Sequence, residues 1–443
     1  MRMLNGVNIF WDKINNRRFL DSSLTGGVFL FKRIQGNARG CLIYEPLFIL
    51  PYSMLSMYVS VYMFQLGVSE KQIGLITSIG LVLQIFTSFI SGYLTDRMGR
   101  RRALLYYDLV GWSIAAIIWA VSQNFWYFLI AAIFNSLLRV PNTAWYCLLV
   151  EDTDPKDRSI VFRVLQLIGV VGGLFAPLGG LLVNHFTLIP AMRIMYIIFG
   201  ISVTVMFFAR HFSTHETEVG IRKRKESSEI KFKDNFNEYI IAIKAILSNR
   251  LLMMVFGVYI LFNFQVQIQN TYLSIYLVEA LKINDALIAI FPAVSSIAML
   301  GLMFFVIPKF NENKANQYII WGFFLAILSK VILITVAPGK ITPIILSTML
   351  AAAGTIIASP YLEAVVANSI DDEQRAKIFS LLQVLVLVVI SPSGFIGGWS
   401  YTIDPRLPFI LMILAFAVSI ILMLGLIHSE GKSQLKEKGQ LNI

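Results

Sequence analysis

Apolar residues in this chain come in long runs, parted by short polar or basic stretches, and that rhythm repeats from residue 44 to residue 427. A helix rises about 1.5 Å per residue, so runs of about 20 apolar residues match the hydrocarbon core of a bilayer. The pattern predicts twelve helical spans, at 44–66, 72–95, 102–122, 125–149, 160–184, 190–209, 251–278, 285–308, 317–337, 341–367, 377–400 and 407–427. Residues 210–250 break the rhythm with Arg222-Lys-Arg-Lys225 and a polar stretch to Glu238. They read as a linker between two six-span halves, turning amphipathic around Ile240–Leu247. The expected organisation is therefore an N-terminal segment 1–43, a half at 44–209, the linker 210–250, a half at 251–427 and a tail 428–443. The first segment mixes Trp11, Phe19, Phe29 and Phe31 with seven basic residues, which suits a stretch lying on the inner leaflet or a loose tail.

Polar positions inside the spans are few and aligned. In the first span Glu45, Tyr52 and Ser56 share one helical face, and Pro51, Tyr58, Tyr62 and Gln65 an adjacent one. Its prolines predict a bend. The fourth span places Asn135, Arg139, Asn142 and Tyr146 in one stripe. The seventh aligns Tyr259, Asn263, Gln267, Asn270 and Ser274, with Gln265, Gln269, Tyr272 and Tyr276 opposite. The tenth aligns Thr348, Thr355, Ser359 and Glu363. Lipid does not tolerate such arcs, so each is expected to face a cavity or another helix. The candidates to meet a solute are Tyr52, Tyr58, Asn135, Arg139, Asn142, Asn263, Gln267 and Asn270, of which roughly a third are expected to touch it while the others join helix to helix. Glu45 and Glu363 are taken as the acids within spans, hence as candidates to carry a coupling proton. Lys330, within snorkelling reach of the outer surface, is expected to extend to it.

Composition agrees with a polytopic membrane protein: 57% of the 443 residues are hydrophobic, only 14% are charged, and mean hydropathy is +0.70. Soluble domains carry about 25% charged residues. Residues 1–40 lack the apolar core and small-residue cleavage site of a signal peptide, so none is expected. A net charge of +11 invites a nucleic-acid reading, but the distribution opposes it. On the predicted spans, one side collects 30 of the 37 Lys and Arg. The other side has five: Lys71, Arg193, Lys282, Lys340 and Arg406. That bias puts both termini in the cytoplasm and makes the basic charge a matter of topology. Cys41 and Cys147 imply no disulfide framework, and His185, His211, His215 and His428 sit at span ends or in loops without a ligand role. No metal and no cofactor is expected.

The loop after the second span reads Gly92-Tyr-Leu-Thr-Asp96-Arg97-Met-Gly99-Arg100-Arg101-Arg102. It resembles the signature of the major facilitator superfamily, Gly-x-x-x-Asp-Arg-x-Gly-Arg-Arg, with Gly92, Asp96, Arg97, Gly99, Arg100 and Arg101 all in register. Gly92 would let another helix approach closely. Asp96 would face the positive N-terminus of a neighbouring helix, which the resemblance makes the eleventh. The arginines would pair with acids on a nearby loop. Glu151 and Arg158 follow the fourth span in a Glu-x6-Arg spacing similar to that of sugar carriers of the superfamily. Gly169-Val-Val-Gly-Gly-Leu-Phe-Ala-Pro177-Leu-Gly-Gly180 is loosely similar to the antiporter motif, one residue short and with Ala176 for a glycine; close helix packing accounts for the same glycines. With an offset of 217, Asp154, Arg158, Phe162, Leu165 and Gln166 meet Asp371, Arg375, Phe379, Leu382 and Gln383. Two parallel six-helix repeats are the architecture that the resemblance implies, with the first, fourth, seventh and tenth helices lining a central cavity.

The resemblance implies a secondary transporter moving a small organic solute by alternating access, and the two acids within spans make proton coupling through Glu45 or Glu363 an expectation. Its partners would be that solute, protons and the lipid of the cell membrane, with the chain a monomer. A proton-driven exporter of amphipathic or drug-like compounds is the nearest rival. A sugar or small-metabolite importer stands further off, because Arg210-His-Phe-Ser-Thr-His-Glu-Thr stands where sugar carriers have Pro-Glu-Ser-Pro-Arg. No Gly-x4-Gly-Lys-Ser/Thr loop is present for ATP, and no His-Glu-x-x-His for a membrane enzyme. A ligand sensor that moves nothing is the rival of another class. Arg139, which cannot shed its charge, would meet an anionic solute, one of the two glutamates, or helix carbonyls as a structural clamp.

Overall fold

The computed structural model describes residues 34–154, 158–226, 250–310, 314–368 and 375–440, and among them it holds helices and no strand. The first half comprises α1 (Gly36–Ser56 with Val59–Gln65), α2 (Glu70–Met98), α3 (Arg100–Ala120), α4 (Phe125–Asn135 with Arg139–Val150), α5 (Ile160–Phe186) and α6 (Leu188–Ser213). The second comprises α7 (Arg250–Ala280), α8 (Asp285–Phe305), α9 (Ala315–Thr335), α10 (Ile341–Val366), α11 (Val384–Ile403) and α12 (Leu407–Ser429). Ten of these helices are long and apolar enough to cross a membrane, eleven with the bent α1. The twelfth is α4, which a 3-10 turn at Ser136–Leu138 divides into pieces of 11 and 12 residues.

Local chemistry starts and stops these helices. Ser69 and Gln72 form a capping box at the head of α2. Asn124 accepts from Trp126 N at 3.1 Å to open α4, and Asn284 from Ala286 N at 2.9 Å to open α8. Gly99, at φ +86°, ends α2 in a conformation that L side chains rarely adopt, and α3 follows at once. The bend expected in α1 is there, at 46°, but it falls at Met57 and Tyr58, well past Pro51. The chain also becomes helical earlier than expected. Gly36–Tyr44 is a helix with Asn37, Cys41 and Leu42 buried, so part of the segment assigned to 1–43 belongs to the first half. The proposed interfacial residues and the amphipathic stretch at Ile240–Leu247 lie outside the described residues.

The Arg100 end of the bundle is called the basic end here, and the opposite end, with Gln65 and Asp285, the far end. The described polar links between the halves gather toward the far end. Gln65 Nε2 donates to Asp285 Oδ2 at 2.9 Å, Tyr58 Oη to the Ala286 carbonyl at 3.4 Å, and Phe395 N to Ser78 Oγ at 2.9 Å. Beside them α2 and α11 cross with backbones nearly touching: a Cβ on Gly74 would stand 2.3 Å from the Gly394 carbonyl oxygen. Glycine at both positions is what permits this approach. On α5, Gly173 and Gly180 similarly face Ser296 and Ala286 of α8. At the basic end a Cβ on Gly92, Gly169 or Gly301 would meet nothing within 4 Å.

Candidate functional site

A cavity of about 450 Å³ lies between the halves, on the inner side of the far-end contacts. Helix α1 supplies Tyr52, Ser56 and Ser60, and α7 supplies Gln267, Gln269, Asn270 and Ser274. Ser295 comes from α8, Lys330 from α9, and Ser347 and Thr348 from α10. Met57, Met63, Phe291 and Leu333 give it apolar walls. Polar hydroxyls and amides set among apolar walls make a pocket that can orient a small organic molecule.

Lys330 is the one charged side chain among the described residues that line it. It does not extend to the surface as expected: it is 2% exposed, and its Nζ donates to Gln269 Oε1 at 2.8 Å. Packing of α9 on α10 sets this direction. A Cβ on Gly322 would stand 2.7 Å from the Gly354 carbonyl oxygen, and Ser347 Oγ donates to the Ser329 carbonyl at 2.8 Å. Gln269 corrects a second expectation. The sequence pattern puts it on the face of α7 opposite Gln267 and Asn270, yet it lines the same cavity.

Of the eight candidates to meet solute, Tyr52, Gln267 and Asn270 line the cavity. The other five do not. Tyr58 is fully buried and joins the halves through Ala286. Asn135 Nδ2 donates to the Gly111 carbonyl at 2.8 Å, where α3 carries a π-helical turn at Leu109–Ile114. Asn263 Nδ2 donates to Tyr259 O at 2.8 Å within its own helix. Asn142 is exposed outside the cavity. Arg139 Nε donates to Gln84 Oε1 of α2 at 3.0 Å, and no described carboxylate lies in salt-bridge reach of it, neither Glu45 nor Glu363. A neutral amide partner within its own half thus replaces the expected wall of the cavity.

Glu45 and Glu363 are not the only intramembrane acids. Asp108 of α3 is buried and ion-paired to Arg210 of α6. Glu45 lies within electrostatic reach of both, and its Oε2 is buried with no hydrogen-bond partner among the described residues. The grouping holds two carboxylates and one guanidinium. Glu363 is exposed and does not line the cavity.

The arginine-rich loop folds onto its own half. Arg100, 4% exposed, donates to Asp96 Oδ1 at 2.6 Å and to both oxygens of Glu151 at 3.3 Å. Glu151 also accepts from Thr217, so it turns away from the Arg158 expected beside it. Arg158 instead donates to the Val150 and Thr153 carbonyls at 3.1 and 3.2 Å. Arg101 Nε donates to His211 O at 2.8 Å, and Arg97 reaches Tyr93 Oη at 3.0 Å. The described partner of Asp96 is thus Arg100 of its own half. The carboxylate at a helix start belongs to Glu216, which accepts from Arg100 N at 2.9 Å and Arg101 N at 3.2 Å at the head of α3. Gly92, expected to admit a close helix, faces open space, and the crowded glycine is Gly99, against Glu216. The side chain of Arg375 lies outside what the structure describes.

A two-half helical bundle of this kind, enclosing a solute-sized cavity between its halves, is the build of a membrane carrier. Residues 47–359 match the family model of the Major Facilitator Superfamily, more than half of the chain, and the chain belongs to that family of transporters. The multidrug resistance protein MdtG of Salmonella arizonae is 33% identical over 178 residues, 38% of this chain and 42% of that protein. An MFS-type transporter of Bacillus subtilis, YqjV, is 28% identical over 147 residues, 32% of this chain and 35% of that one. The chain therefore spans about two fifths of the length of the curated relatives that it matches. Among solved structures, a POT family transporter in complex with 5-aminolevulinic acid superposes with a TM-score of 0.66 at 15% identity. That alignment covers 89% of this chain and 96% of the other, and it is a likeness of fold.

Proposed function

We propose that this transporter moves a small organic solute by alternating access, with the solute held in the cavity between α1, α7 and α10 and protons supplying the drive. The observation that carries the reading is the cavity itself, capped by the far-end links of Gln65 to Asp285 and Ser78 to Phe395. A binding space shared by two halves, with closure on one side, is what rocking of one half against the other requires. The lysine and arginine count supports an orientation in the cell membrane with both termini in the cytoplasm and the far end outside. The coupling proton sits on Glu45. Two carboxylates share one guanidinium there, so a single proton brings the group to neutrality at low cost in a poorly solvated setting.

Export of amphipathic compounds is the second reading, supported by the relative named multidrug resistance protein over 38% of this chain. Both are tested in proteoliposomes with cationic ethidium and anionic naphthalenesulfonate, each with and without a pH gradient. Gradient-driven flux of either probe above protein-free vesicles is expected. Binding of a probe without flux of any would favour a ligand sensor and contradict the transport reading.

A further inference from the structure

The Lys330 ammonium carries one positive charge and three donor hydrogens. Its described partner is a neutral amide, Gln269 Oε1 at 2.8 Å. No carboxylate lines the cavity among the described residues, and none lies within salt-bridge distance of Lys330. A buried cation with only a neutral partner is under strong pressure to find an anion. It cannot leave for the surface, because the glycine crossing of Gly322 on Gly354 and the Ser329–Ser347 bonds hold α9 in place.

We propose that Lys330 is the solute's anion site, so that the cavity takes a small organic molecule with one oxyanion group and an apolar body. Deepening the transport reading, this assignment rests on it for the solute's route but not for its binding. Gln269 joins the site. Its oxygen is committed to Lys330, which leaves its amide hydrogens to donate to the same anion. The single charge of Lys330 matches a carboxylate or sulfonate; a doubly charged phosphate would keep one charge unpaired. Tyr52, Met57, Met63 and Phe291 supply apolar and aromatic surface for the rest of the molecule. Hydroxyls of Ser274 and Thr348 add neutral polarity that fixes orientation.

Three probes of one size test this by calorimetry on the purified full chain in detergent: naphthalenesulfonate, the neutral naphthalenesulfonamide, and cationic naphthyltrimethylammonium. The sulfonate should bind at least about tenfold more tightly than the sulfonamide, and the ammonium should not bind, a difference well within the worth of one buried charge. Lys330→Gln should bring the sulfonate down to the sulfonamide's level and leave the sulfonamide where it was, while Lys330→Arg keeps the preference. Equal affinity for sulfonate and sulfonamide in the wild type would overturn the assignment, and so would preference for the ammonium, a preference surviving Lys330→Gln, or no binding by any probe. The wild-type comparison needs no variant, so the result stands even where Lys330→Gln fails to fold. Sulfonate preference without sulfonate flux in proteoliposomes would contradict transport and leave the anion site in place.

Discussion

Single residues decide the chemistry here, and Arg100 is the clearest structural case. Its guanidinium lies between Asp96 and Glu151 with almost no access to water. Arg100→Gln leaves two carboxylates facing each other, so it should destabilise the first half by about 3–5 kcal/mol, the scale for breaking a buried ion pair. Arg100→Lys should lose less, since it keeps the charge but not the fork. Thermal unfolding of both variants checks the order. Glu45 makes a different prediction. With one buried oxygen free of partners among the described residues, Glu45→Gln should abolish accumulation driven by a pH gradient while substrate exchange continues. Glu363→Gln should leave both unchanged. If Glu45→Gln accumulates solute like wild type, the proton sits elsewhere. The signature loop could be read from its spacing, and so could the pairing of its arginines with acids nearby. Which acid pairs with which arginine could not, because Glu216 and Thr217 reach the loop from beyond α6. Lys330 did leave a signal. Gly322, Ala326 and Lys330 recur every four residues, so the lysine lies on the small-residue stripe that packs against α10 rather than on a lipid face. A lysine's direction is set by the helix face it occupies, and not by its reach to the surface alone.

At the scale of helices, the first member of each half carries a matching device. Tyr58 and Tyr62 of α1, and Tyr272 and Tyr276 of α7, are buried tyrosines one turn apart, and each hydroxyl donates to a backbone carbonyl. The sequence showed these tyrosines as polar arcs in need of burial. It could not show whether they turn to solute or to a neighbouring helix, because both satisfy a hydroxyl in lipid. The same ambiguity holds for Asn135 and Asn263, which bond backbone carbonyls. The α2–α11 crossing gives the sharpest test at this scale. A side chain at Gly74 would overlap the Gly394 carbonyl, so Gly74→Val should fold yet fail to close the far end. Flux should fall, and a cysteine introduced by Gln65→Cys should react faster with a membrane-impermeant maleimide. Unchanged flux and unchanged labelling would mean that the crossing does not have to close.

At the scale of the whole molecule, the described residues form two groups of six helices around a shared cavity, and that much follows from the rhythm of the sequence, with span ends within a few residues for most helices. Among the described residues α1 and α4 obscure the count, because the 46° bend of one and the 3-10 break of the other are local conformations that apolar composition does not record. What the rhythm cannot give is the relation between the halves, which depends on contacts such as Gln65 to Asp285 across 220 residues. If transport needs the halves to part at the far end, tying them there must stop it. The direct measurement is a paired variant, Gln65→Cys with Asp285→Cys, oxidised to a disulfide in proteoliposomes and assayed for naphthalenesulfonate and ethidium flux. Oxidation should stop flux, a reductant should restore it, and either single variant should be indifferent to both treatments. Undiminished flux through fully cross-linked protein would contradict the account.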